Sequence, residues 1–151
     1  MQHPLQISRK IEYGLRAMLF LAAQPEGSIV PFRAIAQRME VPEEFLAKIL
    51  KTLVRSGLAS SSRGSRGGYA LGRPASEITF LDVIEAVEGP VHVNVCTEGV
   101  AEHQGCSFSG ACTMYGVWRL GQERMLEVYK NARLDRLAMR GLKGELDAQV
   151  H

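Results

Sequence analysis

Apolar residues recur at three- and four-residue steps from the start of the chain. Ile7, Ile11, Leu15, Met18 and Ala22 fall on one face of a helix predicted over 8–24. Ser8 is placed to cap its first turn, and Pro25 with Gly27 stops it. A short helix is predicted over 31–39, with Ile35, Ala36 and Met39 inward. Glu40, Val41 and Pro42 form a turn, and a further helix over 42–56 buries a stripe of Phe45, Leu46, Ile49, Leu50 and Leu53. Pro42 suits its first turn and Gly57 its C-terminal cap. Two short helices joined by a tight turn are a helix-turn-helix pattern.

The period then changes. Residues 58–62 and 69–71 can pair as two short strands around Arg63-Gly64-Ser65-Arg66-Gly67-Gly68, a segment too rich in glycine for regular structure. A hairpin directly after the second helix of such a unit is the wing of a winged helix. Residues 79–87 predict another helix, with Phe80, Val83, Ile84 and Val87 inward and Gly89-Pro90 ending it. Residues 91–113 carry no helical period, and an irregular loop of that length in a small domain is commonly functional. A long helix is predicted over 114–131. Met114, Trp118, Met125 and Tyr129 form one stripe, widened by Val117, Leu120 and Val128. That apolar face is broader than one small domain can cover, so a second copy of the same helix is the expected partner. A short helix over 134–140 precedes a polar tail.

Composition agrees with a globular chain. Of 151 residues, 46% are hydrophobic and 23% charged, enough for a core. No apolar run approaches the ~20 residues that span a bilayer, and the first residues do not form a signal peptide, so a cytoplasmic protein with no membrane partner is expected. The net charge of +2 conceals an asymmetry. Residues 1–75 hold eleven Lys/Arg against five Asp/Glu, a net +6; residues 76–151 hold seven against eleven, a net −4. A basic first half suits a polyanionic partner.

That asymmetry gives the wing and the second helix of the helix-turn-helix a chemistry. A recognition helix in the major groove would offer Glu43, Glu44, Lys48, Lys51 and Thr52: carboxylates accept from cytosine amino groups, and lysines reach guanine or phosphate. Each of these side chains also suits an ordinary solvated helix face. Arg63 and Arg66 have no carboxylate within their loop and gain little from folding, whereas arginine is drawn into a narrow minor groove. Ser65 and Gly67 share the wing tip, and Ser8 and Arg9 at the start of the first helix complete the candidate DNA contacts.

Three segments resemble the Rrf2 family of bacterial regulators. They are Ser8-Arg9-Lys10-Ile11-Glu12-Tyr13-Gly14-Leu15-Arg16-Ala17, the wing from Gly57-Leu58 through Arg63-Gly64 to Gly67-Gly68-Tyr69-Ala70-Leu71, and Ile78-Thr79 through Asp82-Val83-Ile84 to Ala86-Val87-Glu88-Gly89. They occur in order, and the resemblance covers roughly residues 6–140. It implies a mainly α fold with a small β-hairpin wing: a winged helix-turn-helix plus a long dimerisation helix, acting as a homodimer on a double-stranded DNA operator. The implied organisation is a DNA-binding domain over 1–89, a cysteine-bearing sensor loop over 90–113, a dimerisation helix and short C-terminal helix over 114–141, and a flexible tail over 142–151. Met114, Trp118, Met125 and Tyr129 are the residues expected at the dimer interface.

The chain has three cysteines, Cys96, Cys106 and Cys112, spaced Cys-x9-Cys-x5-Cys. An odd number, clustered in a chain expected to be cytoplasmic, argues against a disulfide framework and for metal or redox chemistry. In many family members three cysteines before the long helix hold an iron–sulfur cluster, [2Fe-2S] or [4Fe-4S], and the resemblance maps them to these three. The second gap matches cluster-bearing members; the first is longer. Tyr115 stands where one cluster-bearing member has a histidine ligand, so the fourth ligand implied is Glu12, donated across the dimer as in the family's nitric-oxide sensor. His92, His103 or water are the alternatives, and Glu12 is also spaced for an i,i+4 pair with Arg16. A thiol/disulfide switch and structural zinc are the competing uses of the cysteines. The chain carries no phosphate-binding glycine loop, nucleophile elbow or catalytic His/Asp constellation, so no enzyme is expected. The expected function is a transcription regulator, a repressor, whose operator binding follows a cluster sensing redox state, nitric oxide or iron. A cluster-free regulator using cysteine thiols or a protein partner as its signal is the alternative.

Overall fold

In the computed structural model, which describes residues 6–98, 106–108 and 111–138, helices α1 to α4 begin where the sequence offers a cap or a proline. Helix α1 (Arg9–Ala22) starts at Ser8, whose hydroxyl accepts the Ile11 N–H at 3.2 Å and donates to Glu88 Oε1 at 2.9 Å. One side chain thus satisfies a free helix amide and ties two elements together. Ile7 precedes the cap and is exposed, so it does not belong to the apolar face expected of this helix. Helix α2 (Phe32–Arg38) follows Pro31, and α3 (Glu43–Arg55) follows Pro42. Between them Glu40 takes a left-handed φ of 53°, and the Val41 N–H closes the turn on Ala36 O at 3.0 Å.

Strands β1 (Ala59–Ser62) and β2 (Gly68–Leu71) pair antiparallel, with Ala59 opposite Leu71 and Ser62 opposite Gly68. Val30, ahead of α2, adds a bridge that the apolar pattern does not reveal. Val30 and Tyr69 exchange both N–H···O bonds at 2.8 Å. Gly68 is required beside it, because a Cβ there would meet Val30 O at 2.2 Å. A 3₁₀ turn (Ala75–Glu77) leads to α4 (Phe80–Glu88), which opens with a reciprocal capping box between Thr79 and Asp82. A second 3₁₀ turn (Val95–Thr97) lies in the segment expected to be wholly irregular. Helix α5 (Tyr115–Asn131) and the short α6 (Leu134–Leu137) complete the described fold. The expected extension of α6 to residue 140 and the polar tail lie outside the described residues.

A single core joins these pieces. Ala17 and Met18 of α1, Ile35 of α2, Leu46, Leu50 and Leu53 of α3, and Ile78 and Val83 around α4 are all fully buried. Phe45 departs from the expected stripe: it is 51% exposed. It sits one residue, or about 100°, ahead of Leu46 on the helix wheel and packs by one edge on Tyr13, with ring centroids 6.2 Å apart. The C-terminal end of α5 is clamped to the head of α4. Phe80 N–H donates to Ala132 O at 2.7 Å, Leu134 N–H donates to Ile78 O at 3.0 Å, and the Phe80 and Tyr129 rings stand 5.2 Å apart. Leu134 is fully buried. The fold is mainly helical with one two-stranded hairpin, the winged-helix architecture expected, and α5 is fixed to its base.

Candidate nucleic-acid interface and cysteine loop

The outer face of α3 is polar because its apolar positions are spent on the core. Glu44, Lys48, Lys51 and Arg55 lie opposite Leu46, Ile49, Leu50 and Leu53, and all four are exposed. Glu43 and Glu44 occupy the first turn, where no side chain caps the helix and negative charge is favoured by the free amides. Thr52 turns its hydroxyl back to Lys48 O at 3.1 Å, leaving the lysines as the extended groups. In the wing, Arg63, Ser65 and Arg66 are exposed at the tip, and Gly67 N–H closes the turn on Gly64 O at 3.0 Å. Gly64 has φ 103°, a conformation open to glycine but strained for other residues. A Cβ on Gly67 would meet Ser62 O at 2.4 Å. The hairpin therefore projects two guanidinium groups on a backbone of fixed shape.

At the start of α1, Arg9 is exposed, and a hydrogen bond to the Tyr13 side chain raises its already high pKa, keeping it a cation. Arg16 stacks over the Tyr13 ring, 5.7 Å from its centroid. It also pairs with Glu12 and donates to Met39 O at 3.3 Å, capping the end of α2. Glu12 therefore occupies the i,i+4 pair that its spacing allows. Ser8 is engaged by Glu88 and the Ile11 amide.

The three cysteines lie on separate parts of the loop. Cys96 is half-buried in the 3₁₀ turn, Cys106 is exposed, and Cys112 is half-buried three residues before α5; none forms a disulfide. Among the described residues, no three His, Cys, Asp or Glu side chains are gathered into a metal-holding group. His92 Nδ1 lies 3.1 Å from Thr97 O, and His103 falls outside the described residues.

One residue ties the Cys96 segment to the long helix. Gln122 of α5 accepts the Val93 N–H at 2.9 Å and donates to Thr97 O at 3.3 Å, spanning both sides of Cys96. Nothing in the sequence marks it, since a glutamine on a helix face is usually solvated. Gln122→Leu should accelerate amide exchange at Val93 about fivefold, the worth of one net hydrogen bond of about 1 kcal/mol, and raise the alkylation rate of Cys96. Hydrogen-exchange and thiol-labelling mass spectrometry read both.

Helix α5 has no fully buried residue, and its apolar side chains divide between the clamp and the open surface. Tyr129 packs on Phe80 and Met125 is half-buried, whereas Met114 is exposed and Trp118 only marginally so. Val117, Leu120 and Val128 are outward as well, at 69%, 50% and 64% exposure. Thr113, Gly116, Val117, Leu120, Gly121 and Arg124 line a shallow groove of ≈ 510 Å³ along this face. No described helix is long and apolar enough to cross a membrane.

Comparison with known proteins places this geometry. The chain is 34% identical over 131 residues to Rv1287 of Mycobacterium tuberculosis, named as an HTH-type transcriptional regulator; the match spans 86% of this chain and 79% of that protein. It is 33% identical over 133 residues to the HTH-type transcriptional regulator IscR of Klebsiella pneumoniae, spanning 88% and 79%. Among solved structures it resembles CymR, the global cysteine regulator of B. subtilis, with a TM-score of 0.72 and 30% identity over 91% of this chain and 99% of that one. Residues 7–140 match the family model described as Rrf2, iron-dependent transcriptional regulator. The chain belongs to the Rrf2 family of transcriptional regulators, and it is a DNA-binding regulator and not an enzyme.

Proposed function

We propose that this regulator is a cytoplasmic homodimeric repressor that reads its operator with α3 in the major groove and the wing in the adjacent minor groove, under control of an iron–sulfur cluster. The observation that carries the DNA-reading geometry is the exposure of Lys48 and Lys51 on α3 together with that of Arg63 and Arg66 on the hairpin that follows it. Lysines and wing arginines neutralise phosphate and enter the minor groove; Glu43 and Glu44 discriminate bases, since a carboxylate beside phosphate is tolerated only where a base amino group meets it. Arg9 faces phosphate near the start of α1, with Ser8 holding that end of the helix in place. Ser65 and Gly67 let the wing backbone approach the duplex. The second copy covers Val117, Leu120 and Val128, whose spacing and flanking glycines suit close helix packing.

The donor set suits a cluster in kind: three thiols outside any disulfide and none fully buried, with the Cys96 segment braced by Gln122. Cys96, Cys106 and Cys112 would hold it, and Glu12 is the candidate fourth ligand, which requires exchanging Arg16 for the metal. When bound, the cluster supplies a group that reacts with oxidants or nitric oxide and changes its charge. The chain's own part is mechanical. The loop is joined to α5, and α5 is clamped to α4, so a change at the cysteines reaches the element that spaces the two recognition helices.

The separation of the three thiols, with no metal-holding group among the described residues, supports a second reading. In it the thiols or a protein partner carry the signal, as a likeness to a cysteine regulator suggests. Anaerobic purification followed by iron, sulfide and absorbance measurements separates the two. The cluster reading predicts a coloured protein whose operator affinity changes when the cluster is removed, and whose spectrum or air stability changes in Glu12→Ala. A colourless protein binding the operator with unchanged affinity after iron and sulfide reconstitution would replace it with the thiol reading.

A further inference from the structure

Phe45 is the third residue of α3 and stands half-exposed on a helix face otherwise bearing Glu44, Lys48 and Lys51. An aromatic ring on such a face loses hydrophobic stabilisation unless something covers it. One side of the ring packs on Tyr13, itself flanked by Arg9 and Arg16, and the other side is open. The N-terminal turn of a recognition helix is the part that meets base edges in the major groove. The one apolar group displayed there by B-DNA is the C5-methyl of thymine.

We infer that Phe45 is a specificity-determining residue that reads the methyl group of one thymine in each half-site. The inference rests on α3 entering the major groove, as proposed above. The ring desolvates the methyl, while Glu44 and Lys48, one residue before and one turn after it, read or neutralise polar neighbours. Cytosine at that position would offer no methyl. Phe45 thus adds an apolar element to a polar reading surface, and it does so because the core leaves its ring outside.

The test begins with selection of bound sites from a random duplex library by the intact protein. Each thymine of the enriched site is then replaced by deoxyuridine, which removes only the methyl. One thymine per half-site should show about a fourfold loss of affinity, the worth of one buried methyl. Phe45→Ala should bind the thymine site weaker by a similar factor and be indifferent to the uracil. Since Phe45 also packs on Tyr13, unmodified protein supplies an independent measurement: 5-iodouracil at that position should photocrosslink to the peptide carrying Phe45. An enriched site at which uracil is tolerated everywhere, a Phe45→Ala variant that keeps the full uracil penalty, or a crosslink to another residue would overturn this inference alone. Failure to enrich any duplex would overturn the sequence-reading role of α3 and this inference with it.

Discussion

Substituting both wing arginines, Arg63→Ala with Arg66→Ala, should weaken operator binding by about 10- to 100-fold and leave the thermal unfolding midpoint unchanged. Both side chains are exposed on a hairpin whose shape is set by its backbone, by the Gly64–Gly67 turn and by the bridge to Val30. Their removal takes nothing from the core. If each contacts a phosphate or lies in the minor groove, the double variant should also shallow the slope of log K against log salt by about 1.8, since each lost charge contact contributes about 0.9. Equal affinity and equal slope for wild type and the double variant would remove the wing from the interface.

The second large effect is expected at Leu120. Leu120→Glu places a carboxylate in the middle of the outward stripe formed with Val117 and Val128. An uncompensated charge buried between two copies is worth about 3 kcal/mol or more, which shifts dimerisation by about 100-fold or more. Sedimentation should then find monomer at concentrations where wild type is dimeric, and operator affinity should fall with it because a monomer holds one half-site. The fold itself should persist, since Leu120 is half-exposed and lies outside the core. An unchanged dimer would place the interface elsewhere on the molecule. The same substitution at Tyr129 would damage the chain directly, because that ring packs on Phe80 at the clamp between α4 and α5.

How much of this was legible in the sequence differs by element. Helices α1, α3 and α4 were readable to within about two residues, because period and stop signals agreed: Ser8 caps α1 as expected, and Pro25 and Gly89 follow the ends of α1 and α4, whereas the capping role of Thr79 shows only in the structure. The wing was readable from glycine and arginine content, but the bridge that Val30 adds to it was not. Val30 bridges Tyr69 across 39 residues of chain, and a single residue carries no period. Phe45 was misplaced because the helical pattern assigns a face about 100° wide, and a residue on its rim is decided by the neighbour it meets, here Tyr13. On α5 the apolar pattern alone does not say which residues pack within the chain. Apolar residues surround most of that helix, and only the clamp at Ala132 and Leu134 fixes which of them turn toward α4. At the candidate site, residue types and order pointed to DNA and cysteine chemistry, whereas the roles of Gln122 and of the Glu12–Arg16–Met39 chain depend on tertiary contacts that no spacing encodes.

Two copies of one winged helix, set apart by α5, should read two half-sites of DNA. Hydroxyl-radical footprinting of the intact protein on a duplex obtained by selection, combined with binding stoichiometry, tests it most directly. The predicted result is two symmetric footprints whose centres lie about one helical turn, 10–10.5 base pairs, or a multiple of it apart, with two chains bound per duplex. Minor-groove protection beside each should fade when Arg63 and Arg66 are replaced. A single asymmetric footprint with one chain bound, or protection without a defined sequence, would contradict the account.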